Sequence, residues 1–313
     1  MSKKTEVHEM KVSFARILGF CSTAACALAL ASFAHAQIVV DGSLDAGYGS
    51  ALAVQTINTG FGDSTAGDGT SAGGSELDAG YGVISAGNLY LFLAGNHEDN
   101  GNHVNVFVSG GAAGQATLAV PETATLQAMN GSLFSPGFQA TYALDINDYQ
   151  GTDYVEAYNL TGTPSGGYAG SIPLTGGIGT GTLGGSTIGD NNTNAAGVNG
   201  NSGTAANPVA ALAVQTGLEL AIPLSAIGYT GGSIEVLADI NGGGDGYLSN
   251  QFLPGLPVGT GNLGTAEFNF SSTPGEYFTV TAPVPEPATL TLLGSALLGL
   301  GVVYLRWRRR AKA

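Results

Sequence analysis

An all-β fold, a single β-sandwich or jelly roll, is what this sequence predicts, flanked by an N-terminal signal-peptide helix and a C-terminal transmembrane helix. Three observations carry the β reading. Between residues 37 and 283 the apolar residues fall in short runs parted by Gly, Asn, Asp and Ser. No stretch keeps a helical period beyond two turns. The prolines of this region stand at or beyond the ends of the runs, where no ladder hydrogen bond is lost.

The N-terminal helix comes first. Lys3, Lys4, Lys11 and Arg16 precede an Ala/Leu-rich run over 17–33, and Ala34-His35-Ala36 is a small-x-small cleavage site before Gln37. This order predicts a secretory signal peptide over 1–36, taken by the Sec translocon and cut by signal peptidase between Ala36 and Gln37. Either Met1 or Met10 can serve as initiator, the second leaving Glu6 and Glu9 out of the basic segment. Cys21 and Cys26 both lie in this leader, so the exported part has neither a disulfide framework nor a thiolate site.

The strands follow as runs at 51–57, 88–94, 103–108, 139–146, 154–160, 218–222, 233–239 and 265–270 with 277–280. That number of strands in one stretch over 37–283 fits a single sandwich domain. Segments 63–75 and 166–208 are rich in Gly, Ser, Thr and Asn and have few apolar residues, so both read as surface loops. Residues 44–49 (LDAGYG) recur at 77–82 and residues 51–56 (ALAVQT) at 211–216, with no shared period. A solenoid would repeat at a fixed period, so these copies read as convergence in a biased composition.

Charge excludes several functions. All nine Lys and Arg lie in the first sixteen or the last eight residues, which leaves twenty carboxylates and a formal charge of −20 over 37–283. A surface without Lys or Arg cannot displace counterions from phosphates, so nucleic acid is not a partner. Schiff-base lysines, arginine anion clamps and P-loop lysines are excluded with it. The acids themselves are the better candidates. Asp145, Asn147, Asp148 and Asp153 form one group and Asp239, Asn241 and Asp245 another, each setting oxygen donors around Gly-rich turns in a manner Ca²⁺ accepts. Asx residues also make turns without a metal. His97 and His103 are the histidines of the region, and His97-Glu98-Asp99 reads as a solvated hairpin loop. Gly69-Thr70-Ser71-Ala72-Gly73 has the spacing of a nucleophile elbow but sits in a Gly/Ser loop, so no catalytic residue is assigned.

At the C-terminus Val284-Pro285-Glu286-Pro287-Ala288-Thr289-Leu290 precedes an uncharged, mostly apolar stretch over 288–305. Eighteen residues make about 27 Å of helix, enough to cross a bilayer with little tilt. Arg306, Arg308, Arg309, Arg310 and Lys312 follow, which keeps the tail cytoplasmic by the positive-inside rule. The order of P-E-P box, apolar helix and arginine cluster over 284–313 resembles the PEP-CTERM sorting signal. The resemblance implies a surface or extracellular protein of an exopolysaccharide-producing Gram-negative bacterium, whose tail an exosortase removes near Pro285-Glu286-Pro287. Two prolines suit such a recognition segment by holding it extended.

Val40-Asp41-Gly42-Ser43-Leu44-Asp45 with Tyr48, and Gly217-Leu218-Glu219-Leu220-Ala221-Ile222-Pro223, resemble the first strand and a late strand of carbohydrate-binding module family 9-like sandwiches. That family stacks sugars on Trp, whereas Trp307 is in the cytoplasmic tail, so sugar contact here would fall to Tyr. Three functions follow as expectations. The first is a non-enzymatic structural or adhesive protein of the cell surface or extracellular matrix. The second is a carbohydrate-binding module for self-produced exopolysaccharide. The third, a secreted hydrolase, needs a carboxylate pair that the sequence does not single out.

Overall fold

Alternation of large apolar with small or polar residues lets a strand bury one side, and the longest such runs are strands in the computed structural model. Residues 37–62, 74–121 and 124–282 are described. The leader with Ala36, the box at Val284, Pro285, Glu286 and Pro287, the span over 288–305, and Arg306, Arg308, Arg309 and Arg310 all lie outside them, as do residues 63–73. No helix among the described residues is long and apolar enough to cross a membrane. Gln37–Pro283 clusters as one unit.

The strands form two antiparallel sheets. The first runs β1 (Ala53–Val54), β2 (Glu76–Ser85), β3 (Asn88–Asn96), β10 (Gly217–Pro223), β9 (Ser186–Asn191), β8 (Ile178–Leu183). The second runs β12 (Leu248–Leu253), β11 (Ile234–Asn241), β4 (His103–Ser109), β5 (Tyr142–Asp148), β6 (Thr152–Asn159), β7 (Ser165–Pro173), with β13 (Phe278–Val280) also paired to β11. Leu91, Leu93, Leu220 and Ile222 of the first sheet share a core with Val104, Val106, Leu144, Ile146 and Val236 of the second. That makes a sandwich, and each such side chain contributes roughly 1.5–3 kcal/mol by leaving water.

The second sheet is also covered on its outer face. Phe107, Ala143, Tyr158 and Leu237 project there and meet Phe134, Phe138, Phe268 and Phe270 from irregular segments. Phe134 and Phe268 pack edge to face at 5.3 Å. Because strand side chains alternate, His103 and Asn105 share this covered face with Phe107, while Val104 and Val106 point between the sheets.

Three sequence expectations are corrected. Segment 166–208 is a loop only beyond Asn191: residues 166–191 supply nearly all of β7, then β8 and β9. β7 and β8 are edge strands with largely exposed side chains, so backbone pairing forms them without an apolar run. A tight turn at Gly184-Gly185, with φ of 57° and 83°, joins β8 to β9. Residues 265–270 are not a strand; apart from a bridge at Asn269, the segment's Phe268 and Phe270 serve as cover over the outer face. The run at 51–57 shrinks to the two residues of β1, while β2 and β12 were not anticipated. The LDAGYG copies adopt different structures, one around a 3-10 turn at Ala46–Tyr48 and the other within β2, as convergence in composition requires.

Candidate metal centres

Among the described residues ten carboxylates are buried, in a domain with no Lys or Arg to neutralise them. Strand parity and pairing register sort most of them into clusters, and the grouping differs from the one that sequence proximity suggests. Asp145 and Asp148 are three apart on β5, so they point to opposite faces and belong to different sites.

The outer cluster lies on the covered face of the second sheet. Register places Asp239 of β11 beside Asn105 of β4, and Asn105 beside Asp145 of β5. Asp245 is delivered onto this row by the turn Gly243–Asp245, where Asp245 itself holds a left-handed φ of 53° after Gly244 at 70°. Asn241 builds that turn: its Oδ1 accepts from the Gly242 and Tyr247 N–H groups, and its Nδ2 donates to the Asp245 carbonyl. Asn105 Nδ2 donates to Asp239 Oδ1 at 3.2 Å and Asp245 Oδ1 at 2.9 Å. Asp239 Oδ2, Asp245 Oδ2 and Asn105 Oδ1 have no hydrogen-bond partner, on residues that are fully buried.

His103 supports this cluster from the side. Its Nε2 accepts from the Gly244 N–H at 3.2 Å and meets Asn147 Nδ2 at 2.7 Å, which assigns the proton to Nδ1, 2.6 Å from Asp145 Oδ1. Both ring nitrogens are therefore used, and Asn147 holds His103 instead of facing the acids. Burial pushes the His103 pKa below 6.5, against the pull of Asp245. Burial, and then repulsion among neighbouring carboxylates, holds Asp145, Asp239 and Asp245 well above the usual carboxylate range.

The inner cluster lies between the sheets at one end of the sandwich. His97 follows β3 and Asp190 is on β9, both of the first sheet; Asp148 and Asp153 face each other across the β5–β6 pair of the second. His97 Nε2 stands 3.1 Å from Asp190 Oδ2 and 3.6 Å from Asp153 Oδ1. Asn192 clamps the site: its Oδ1 accepts from the His97 N–H at 3.0 Å and its Nδ2 donates to Asp148 Oδ2 at 2.8 Å. Both Asp153 oxygens, Asp148 Oδ1 and His97 Nδ1 lack hydrogen-bond partners. His97 is thus not in a solvated loop but 2 % exposed. Burial opposes charge on its ring, yet Asp190, Asp153 and Asp148 raise its pKa to about 10.

Two further sites went unforeseen. Glu76 and Asp78, two apart on β2, share one face by strand alternation, just before a β-bulge between Leu77 and Ala79. Asp78 Oδ1 accepts from the Val198 N–H at 2.8 Å, and a Cβ at Gly197 would stand 2.4 Å from that same oxygen. Glu219 of β10 is satisfied instead: it accepts from the Asp41 and Gly42 N–H groups and the Tyr48 hydroxyl.

Residues 283–310 match the family model of the PEP-CTERM protein-sorting motif. The PEP-CTERM match covers the C-terminal stretch alone and supports an exported protein that is handled by exosortase and directed toward the cell surface or extracellular space. No curated protein and no solved structure matches the chain. The chemistry of the exported domain therefore rests on its own residues.

Proposed function

We propose that the exported domain is a non-enzymatic structural or adhesive module of the cell surface or extracellular matrix, with Ca²⁺ held by Asp145, Asp239 and Asp245. The observation that carries this reading is the pair of buried oxygens without a hydrogen bond, Asp239 Oδ2 and Asp245 Oδ2, the latter 3.7 Å from His103 Nδ1, together with Asn105 Oδ1, which also lacks one. Oxygen-only donors are what Ca²⁺ takes, while His103, with both nitrogens committed, positions Asp145. A non-enzymatic role is supported by the cover over these acids: the outer cluster lies beneath the 3-10 turn, and its three aspartates are at most 1 % exposed. The test is thermal unfolding of the exported protein in chelator, in millimolar Ca²⁺ and in NaCl of equal ionic strength. A specific site filled to a hundred times its dissociation constant adds about 2.7 kcal/mol. A midpoint raised no further by Ca²⁺ than by NaCl overturns the reading.

A second reading, a carbohydrate-binding module for exopolysaccharide, draws on one open groove of about 700 Å³. The 64 % exposed Tyr168 lines it with small residues and offers a ring on which a sugar can stack, while Tyr142 and Tyr158 at its wall are buried in the core. The two motifs that suggested this family meet at Glu219, which holds Asp41, Gly42 and Tyr48. Binding of purified exopolysaccharide that Tyr168→Ala weakens tenfold or more would favour it; no binding to the polymer would remove it.

A further inference from the structure

The geometry points to a second metal centre of a different chemical class: a four-coordinate divalent transition ion held by His97, Asp153 and Asp190 with a water as fourth ligand, tying one sheet to the other. Three arguments support it. The first is the donor set. His97 presents Nε2 to the carboxylates, and an imidazole nitrogen among carboxylate oxygens suits Zn²⁺ and its neighbours over Ca²⁺, which takes oxygen. The second is spacing. A tetrahedral ion with bonds of about 2.0–2.1 Å keeps its donors about 3.4 Å apart, and His97 Nε2 lies 3.1 Å from Asp190 Oδ2 and 3.6 Å from Asp153 Oδ1. The third is want of partners. Asp153 is fully buried with neither oxygen hydrogen-bonded.

Placement gives the site a role. His97 and Asp190 come from the first sheet, Asp153 from the second. An ion there links the two layers of a domain that has no cysteine for a disulfide.

The experiment uses the exported protein recovered outside the cell, stripped with chelator and titrated with Zn²⁺ alone. One equivalent should bind per chain and resist competition by millimolar Ca²⁺. Co²⁺ in place of Zn²⁺ should give the intense visible absorption of a four-coordinate ion, a readout that needs no variant. His97→Gln and Asp153→Asn should each weaken Zn²⁺ binding at least a hundredfold, while Asp245→Asn in the outer cluster leaves it unchanged. Zn²⁺ displaced by Ca²⁺, a weak six-coordinate Co²⁺ spectrum, or undiminished Zn²⁺ binding in folded His97→Gln each overturns the proposal. Loss of the Ca²⁺ effect alone strikes only at the outer cluster.

Discussion

The outer and inner clusters contain the same residue types, one histidine with three aspartates, yet their ligand chemistry differs because the histidine is turned differently. At the outer cluster both nitrogens of His103 are taken, by Asp145 on one side and by Asn147 and Gly244 on the other, so only oxygen faces the interior. At the inner cluster His97 aims Nε2 at the acids, and Asn192 fixes it through the backbone. The support differs too. One site is laid across neighbouring strands of a single sheet under a turn; the other is assembled from both sheets. Composition sets what a cluster contains, and the hydrogen bonds around its histidine set what it can hold.

The largest effect that would break this comparison is a change of sign. Asp239→Asn with Asp245→Asn should raise the unfolding midpoint in chelator, because it removes repulsion among buried acids. The same variant should lose the Ca²⁺ increment, which at about 2.7 kcal/mol amounts to about 5–10 °C for a domain of this size. If the variant melts below the original chain in chelator, the carboxylates of the outer cluster are not in conflict. Next in size is Asn192→Ala, which strips the buried clamp from His97 and Asp148 and should cost about 1–3 kcal/mol in denaturant unfolding. Asn147→Ala removes the half-buried counterpart at His103, at about 0.5–1.5 kcal/mol. Should Asn147→Ala prove the costlier, the two histidines are not held as described.

The last effect, read as a pH slope instead of a single midpoint, comes from Glu276, an acid outside both clusters. Burial raises its pKa from 4.5 to about 7, and its Oε1 has no partner. The folded chain therefore binds this proton more tightly than the unfolded chain does. Its contribution is fully present below about pH 4.5 and is lost as pH rises through about 7. Melting curves across that window should fall less steeply for Glu276→Gln; identical slopes would show that the group is not shifted.

Much of the fold was legible because burial on one face writes alternation into the sequence: the runs at 88–94, 103–108 and 218–222 lie within β3, β4 and β10. β7 and β8 escaped notice because edge strands with exposed side chains need no apolar residues, although Gly184-Gly185 before Ser186 was a hairpin signal. The candidate sites were legible as residues and not as groups. Asp145, Asp148, Asp153, Asp239 and Asp245 are all in the clusters, but nearness in sequence joined Asp145 to Asp148, which a strand places on opposite faces. Parity along β5 was the available signal. Asp190 and Asn192 lay in a segment read as loop, and pairing of β9 with β10 brings them into place.

Glu219 gathers the backbone of Asp41 and Gly42 and the hydroxyl of Tyr48 across 171 to 178 residues of chain. Because a chain is made from its N-terminal side onward, this contact sets an order of events. Residues 41–48 are made early, but their anchor on β10 is made only when most of the domain has followed. Until that strand arrives the segment has nothing to close on. Residues 41–48 thus dock on the first sheet late, after the strands between them and β10 are complete.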